Sequence, residues 1–268
     1  MADPKYRQIA DGLRFKIESG VYPPDQKLPT ESDLTDEFGA SRNTIRDAIK
    51  SLINLGLVET RPGQGTFVTK RPDPLVTTLS ADEVTGLGGG EGAAYRSEVS
   101  EEHRTPAVSE PDVRVQTAGG EIAARLRVPE GMRLISRHQQ RFIDGTPWSL
   151  QTSFYPRQFA NRGAERLLED QDIAEGTVEY LLKKLKLKQV GYRDWITVRA
   201  PDLNEITFFR LPPDGRVQVF EIFRTAFDQD ANPMRVTVTV FPTDRNQFIV
   251  NVGKVPPAKY EVVPPDGS

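Results

Sequence analysis

The chain has 268 residues, 37% of them hydrophobic and 27% charged, with a formal net charge of −3. That length suggests roughly two domains, and that charge excludes a strongly basic protein that coats nucleic acid non-specifically, although a local basic footprint is still compatible with it. With no cysteine and only two histidines, His103 and His138, disulfides, cysteine-type zinc sites and thiol catalysis are excluded and a multi-histidine metal site is not expected. No stretch approaches the roughly 20 apolar residues of a membrane span, and the N-terminus lacks a signal-peptide layout; the expected location is cytoplasmic.

Tyr6, Ile9, Ala10, Leu13 and Ile17 recur at helical spacing and predict a helix from Tyr6 to about Ser19, stopped by Gly20 and by Pro23-Pro24. Thr30 is a helix N-cap with Asp33 as its capping-box partner, and Leu34 and Phe38 face inward. Ser41 caps a further helix whose buried stripe is Ile45, Ala48, Ile49, Leu52 and Leu55, ended by Gly56. Leu57–Arg61 and Thr66–Thr69 are expected as short strands joined by Pro62-Gly63-Gln64-Gly65. A short helix, a tight turn, a second helix with a polar N-terminal end and a glycine-tipped hairpin place one helix in a DNA groove and a wing beside it.

From residue 71 to 94 the composition turns to proline, threonine and glycine without a period, which predicts a linker, flexible around Gly88-Gly89-Gly90. Residues 95–253 mix strands and helices. Strands are expected at Val113–Gln116, Arg133–Ile143, Trp148–Tyr155, Val190–Arg199, Val217–Phe227 and Met234–Phe241. Helices are expected at Glu121–Leu126, Ala164–Leu168, Thr177–Leu185 and Pro201–Phe209. Asp144-Gly145 turns the first hairpin. The proline-rich tail at 254–268 is expected to be loosely held.

The Pro-Thr-Glu…Leu run from Pro29, Ser41-Arg42-Asn43-Thr44-Ile45-Arg46-Asp47-Ala48, Leu55-Gly56-Leu57-Val58 and Arg61-Pro62-Gly63-Gln64-Gly65-Thr66-Phe67-Val68 stand in fixed order. Residues 5–69 thereby resemble the winged helix-turn-helix of the GntR family of bacterial transcription factors. Burial of the Ile45 stripe leaves Arg42, Asn43, Thr44, Arg46 and Lys50 outside. Arginine pairs bidentately with guanine O6 and N7, and Asn43 could read adenine or touch phosphate. Thr44 suits a phosphate or a thymine methyl. The helix N-terminus at Ser41 favours phosphate. Ser32 and Lys50 are candidate phosphate contacts. Gly63 and Gly65 allow close backbone approach, and Gln64 could enter the minor groove. The alternative for each is a solvated face.

Arg141-Phe142-Ile143-Asp144-Gly145-Thr146-Pro147, Ser153-Phe154-Tyr155-Pro156, Gly176-Thr177, Arg224 and Asn232-Pro233 make residues 95–250 similar to the UTRA effector domain of the HutC subfamily. The resemblance implies an antiparallel sheet with helices, of chorismate-lyase-like fold, that binds small molecules. Strand alternation puts Arg137, Gln139 and Arg141 on one face, and Gln151, Ser153 and Tyr155 on the face of the next strand. By resemblance Gln139, Arg141 and Gln151 line the ligand site with Thr177 and Glu179. Arg141 is the candidate anion holder; its alternative is a salt bridge with Asp144 or a nearby carboxylate. Trp148, Phe154 and Tyr155 are either pocket wall or core. Gln139, Gln151, Glu179 and Arg235 depart from the family pattern, which argues against a sugar phosphate and permits a larger, less charged or positively charged ligand, or none.

The chain therefore reads as α+β, an N-terminal winged helix-turn-helix (1–70) joined by a linker (71–94) to an antiparallel-sheet effector and dimerisation domain (95–253). The expected function is a ligand-responsive repressor on double-stranded DNA, acting as a homodimer on a pseudo-palindromic operator, with no cofactor, metal or catalytic residue. A constitutive repressor whose second domain only dimerises is the alternative. A lyase-like enzyme is a third reading, opposed by the lack of a nucleophile–base pair or phosphate loop.

Overall fold

A computed structural model of the chain describes residues 3–70, 73–80, 92–212 and 215–252. The chain divides into two compact units, Met1–Asp73 with Pro212–Arg216, and Pro74–Leu211 with Val217–Ser268.

In the first unit α1 (Lys5–Glu18), α2 (Glu31–Phe38) and α3 (Arg42–Asn54) precede a two-stranded antiparallel wing, β1 (Val58–Arg61) and β2 (Gly65–Val68). Periodicity dictates the packing: Ile9, Ala10 and Leu13 of α1, Leu34 of α2 and Ile45, Ala48, Ile49 and Leu52 of α3 close one core with Leu28, Val58 and Val68. The caps fix where the helices begin. The Thr30 side chain accepts from the Asp33 amide while Asp33 accepts from the Thr30 amide, and the Ser41 hydroxyl accepts from the Thr44 amide at 3.2 Å. Gly39, in the left-handed region at φ 53°, ends α2 and turns the chain tightly into α3.

The second unit is built on a seven-stranded sheet. Its members are β4 (Pro106–Val108), β5 (Asp112–Thr117), β6 (Arg133–Ile143), β7 (Thr146–Pro156), β8 (Gly191–Arg199), β9 (Val219–Phe227) and β10 (Pro233–Pro242). They lie in the order β4-β6-β7-β10-β9-β8, with β5 also on β6, and every pairing is antiparallel. Asp144 and Gly145, at φ 51° and 73°, form the tight turn between β6 and β7. Register aligns two rows across five strands, Arg137-Ser153-Thr237-Arg224-Asp194 and Gln139-Gln151-Thr239-Ile222-Ile196. Both rows share one face.

The opposite face is apolar beneath α5 (Gly120–Leu126), where Ala123 and Leu126 pack with Leu134 and Val236. A further cluster there joins Phe209 of α8 (Leu203–Phe209) to Val219 and Val240. On the polar face, α6 (Gln158–Asn161), a 3₁₀ turn (Glu165–Leu168) and α7 (Thr177–Leu185) close a core of Phe159, Leu167, Tyr180, Leu181 and Leu185 against Ile135, Tyr155 and Ala226. Tyr95 and Val99 of α4 (Gly92–Glu101) pack with Leu75, Ile143 and Trp148.

The stretch expected as a linker contains structure. Leu75–Thr78 is a strand, β3, paired in parallel with β11 (Asn246–Ile249), and Leu75 and Thr77 are buried. Four residues against a distant parallel partner leave no local period to read, so the sequence missed it. The helix α4 begins at Gly92, inside the same stretch. The glycine run at 88–90 and the tail from 254 lie outside the described residues. Short β4 and β11 also went unread, and the helix expected at Ala164–Leu168 is a 3₁₀ turn. No described helix is long and apolar enough to cross a membrane.

Candidate functional site

The first unit presents the outer side of α3. With Ile45, Ala48 and Ile49 turned into the core, Arg42, Asn43, Arg46 and Lys50 are exposed and Thr44 is half-buried. Ser41 spends its hydroxyl on the cap and on the Thr44 hydroxyl, 2.8 Å away. Arg42 and Asn43 engage no partner side chain among the described residues. Arg46 does: its Nε donates to both carboxylate oxygens of Glu31, at 2.9 and 3.1 Å, while its terminal nitrogens stay unengaged among the described residues. Glu31 is a positioning partner that the sequence reading missed, although its place in the first turn of α2 was visible. Ser32 is exposed at the start of α2. Lys50 lies 4.0 Å from Asp47, a loose pair.

At the wing, Gly63 and Gly65 have φ of 71° and 119° and Gln64 between them is exposed. Gly65 has its own structural reason to be glycine, since its φ of 119° lies in a backbone region closed to other residues. Arg61 is already engaged on the surface of the wing: it pairs with Asp25 and Glu59 and stacks 4.3 Å over the Phe67 ring.

In the second unit, Arg141, Gln139, Gln151 and Ser153 share one sheet face, and all but the half-buried Gln139 are buried. Arg141 donates to the Gln151 side-chain oxygen and lies 4.6 Å above the Tyr95 ring. The alternative pairing with Asp144 does not form, because Asp144 is taken by Arg104. Burial pushes the Tyr95 phenol up to about 12, against the pull of Arg141 and Arg104. Ser153 exchanges a hydrogen bond with Thr237, and Gln139 donates to the Ser109 carbonyl. Further along the row Arg224 and Asp194 form a buried bidentate pair at 2.7 and 2.8 Å, with Arg224 stacked 3.9 Å from the Tyr192 ring. Arg235, also buried, donates to Gln189. Asp194, Thr237 and Thr239 were missed as members of this face, although strand alternation around Arg224 and Arg235 was the available signal; Tyr95, which covers Arg141 from α4, had no local signal.

Three expected site residues are used elsewhere. Arg137 donates to the carbonyls of Arg166, Leu167, Glu169 and Gln171, so it clamps the 3₁₀ segment rather than facing a ligand. Tyr155 belongs to the apolar core under α7, and Trp148 is core as well. Phe154 packs on the opposite face. Glu179 is exposed and pairs with Lys183 one turn on, because α7 turns Tyr180, Leu181 and Leu185 inward. Thr177 is half-buried at the first turn of α7.

Residues 5–68 match the family of bacterial regulatory proteins named gntR, and residues 101–247 match the UTRA domain. An HTH-type transcriptional regulator of Rhizobium meliloti, itself uncharacterised, is 30% identical over 90% of this chain and 91% of its own. The Bacillus subtilis HTH-type transcriptional repressor NagR is 29% identical over 59% of this chain and 60% of its own. A crystal structure of a GntR-family transcriptional regulator superposes with a TM-score of 0.71 at 26% identity, covering 94% of this chain and 99% of that one.

Proposed function

The chain belongs to the GntR family of bacterial regulatory proteins and carries a UTRA domain, and from that premise we propose that it represses transcription and is released from its operator by a small molecule bound to the polar face of the second unit. The observation that carries the reading is the exposed outer side of α3, with Arg42, Asn43 and the terminal nitrogens of Arg46 available to base edges and Lys50 to phosphate. Ser32 and the Gly63-Gln64-Gly65 tip flank it as backbone contacts. One such unit reads one half-site, so two copies on a pseudo-palindrome are required. The edge strand β8, with Ile196 and Val198 exposed on one face, supports an interface on the second unit.

The effector lies against Gln139, Arg141, Gln151, Ser153 and Thr177, with Arg141 facing its most anionic group. It shifts DNA affinity only by its differential affinity for the free and DNA-bound shapes. A second reading, a repressor that takes no effector, is favoured by one observation: Arg141 with Gln151, Arg224 with Asp194 and Arg235 with Gln189 are already paired within the face.

The test is binding to the DNA upstream of its own gene, followed by a metabolite panel scored for release. Release by one compound, lost in Arg141→Ala while DNA affinity is kept, supports the effector reading. Release that survives in Arg141→Ala moves the effector site. Binding that no compound relieves favours the second reading.

A further inference from the structure

On the face of the sheet turned away from the candidate effector site, α5 and strands β8 and β9 enclose an open cavity of about 230 Å³ lined by Ala124, Arg125, Arg127, Arg193, Trp195, Thr225 and Phe227. We propose that this cavity is a second small-molecule site of the chain, taking a carboxylate or phosphate oxyanion carried on a flat, unsaturated body.

Charge is the first argument. Three guanidinium groups face one small volume, and among the described residues a single carboxylate, Glu121, pairs with them, through Arg125 at 2.8 Å, while Arg127 donates to the neutral Ala231 carbonyl at 3.4 Å. Neither Arg127 nor Arg193 forms an ion pair among the described residues. The side-chain Nε of Arg125 is buried and donates to nothing among the described residues. Like charges held together without counter-charge repel, and an oxyanion that accepts from the guanidinium forks removes that cost.

Shape is the second argument. The walls are aromatic. Arg125 lies 5.3 Å from the Trp195 ring and 4.4 Å from the Phe223 ring, while Arg127 and Arg193 flank Phe227 at 5.9 and 5.8 Å. Trp195 remains 54% exposed, so one large π-face is available to a planar ligand. A cavity of about 230 Å³ holds the volume of roughly eight waters, the size of a small aromatic acid rather than a nucleotide.

The chain supplies its own reporter. It has two tryptophans, Trp148 fully buried in a core cluster and Trp195 in the cavity wall. Titration of the full chain with benzoate and with phenyl phosphate, against neutral benzyl alcohol, is followed by tryptophan fluorescence. Either anion is expected to change the emission saturably, with a Kd on the order of 1 mM, and the alcohol is not. Trp195→Phe abolishes the change. Arg127→Gln with Arg193→Gln weakens binding at least about tenfold, the loss of roughly 1.4 kcal/mol, and leaves the thermal melt in place. Arg141→Ala, on the other face, leaves the titration unaltered. Absence of a saturable change with both anions, an equal response to benzyl alcohol, or wild-type affinity in a folded double-arginine variant would overturn the proposal.

Discussion

Arg42 and Arg46 stand one turn apart on α3, but only Arg46 is already oriented, by Glu31. Each bidentate guanine contact is worth about 1–3 kcal/mol. Arg42→Ala and Arg46→Ala are therefore each expected to lower operator affinity by about 10- to 100-fold per half-site while leaving the thermal melt within about 0.5 kcal/mol, as exposed positions do. Unchanged affinity in both would take α3 out of the groove. Glu31→Gln loosens Arg46 and relaxes base preference more than total affinity. A different residue reports pH. His138 of β6 is half-buried against Thr152, and burial holds its imidazole below the ordinary value, with Arg114 pushing the same way and Asp112 opposing. The folded state thus prefers neutral histidine. Stability is full above the unfolded value of about 6.5 and is lost as pH falls through the lower folded value. A melt series from pH 7.5 down to pH 5.5 is expected to decline, and His138→Gln to flatten the decline; an equal slope in both places the titration elsewhere.

At the scale of elements, β8 and β9 are joined on their polar face by Arg224 and Asp194. Removing one partner of a buried pair strands the other charge, at about 3–5 kcal/mol. Arg224→Met is expected to unfold the second unit first in calorimetry, and Arg224→Met with Asp194→Leu to recover most of the loss. A double variant no better than the single would mean that the cost lies in packing against Tyr192. The elements that sequence could reach are those whose information is local. The capped, periodic α2 and α3 and the Asp144-Gly145 hairpin fall where periodicity and turn chemistry put them. β3, β4 and β11 have three or four residues each, and their positions depend on partners far along the chain. The same division runs through the candidate site. Alternation placed Gln139, Arg141, Gln151 and Ser153 on a common face, but alternation cannot say what covers a face. Arg137 and Tyr155 lie under the 3₁₀ turn and α7, and that cover was not legible.

The whole molecule carries a net charge of −3, so its attraction to DNA rests on few cations, and the salt dependence of binding is expected to count them. Each phosphate contact contributes about −0.9 to the slope of log K against log salt. Lys50→Ala, if Lys50 meets a phosphate in each of two copies, is expected to make that slope shallower by about 2 without altering base preference. A change of about 1 would indicate a single bound copy, and no change would remove Lys50 from the backbone.

The parallel pairing of β3 with β11 also has a consequence in time. Ser80 and Asn251, bonded through a hydroxyl at one end of that ribbon, are 171 residues apart in the chain. During synthesis at about 5–20 residues per second, β3 waits roughly 10–30 s for its partner to leave the ribosome. The three-helix unit has all of its helices and its wing by Val68 and can fold within that interval. The nascent protein therefore passes through a state in which the winged helix-turn-helix is complete before the second unit is.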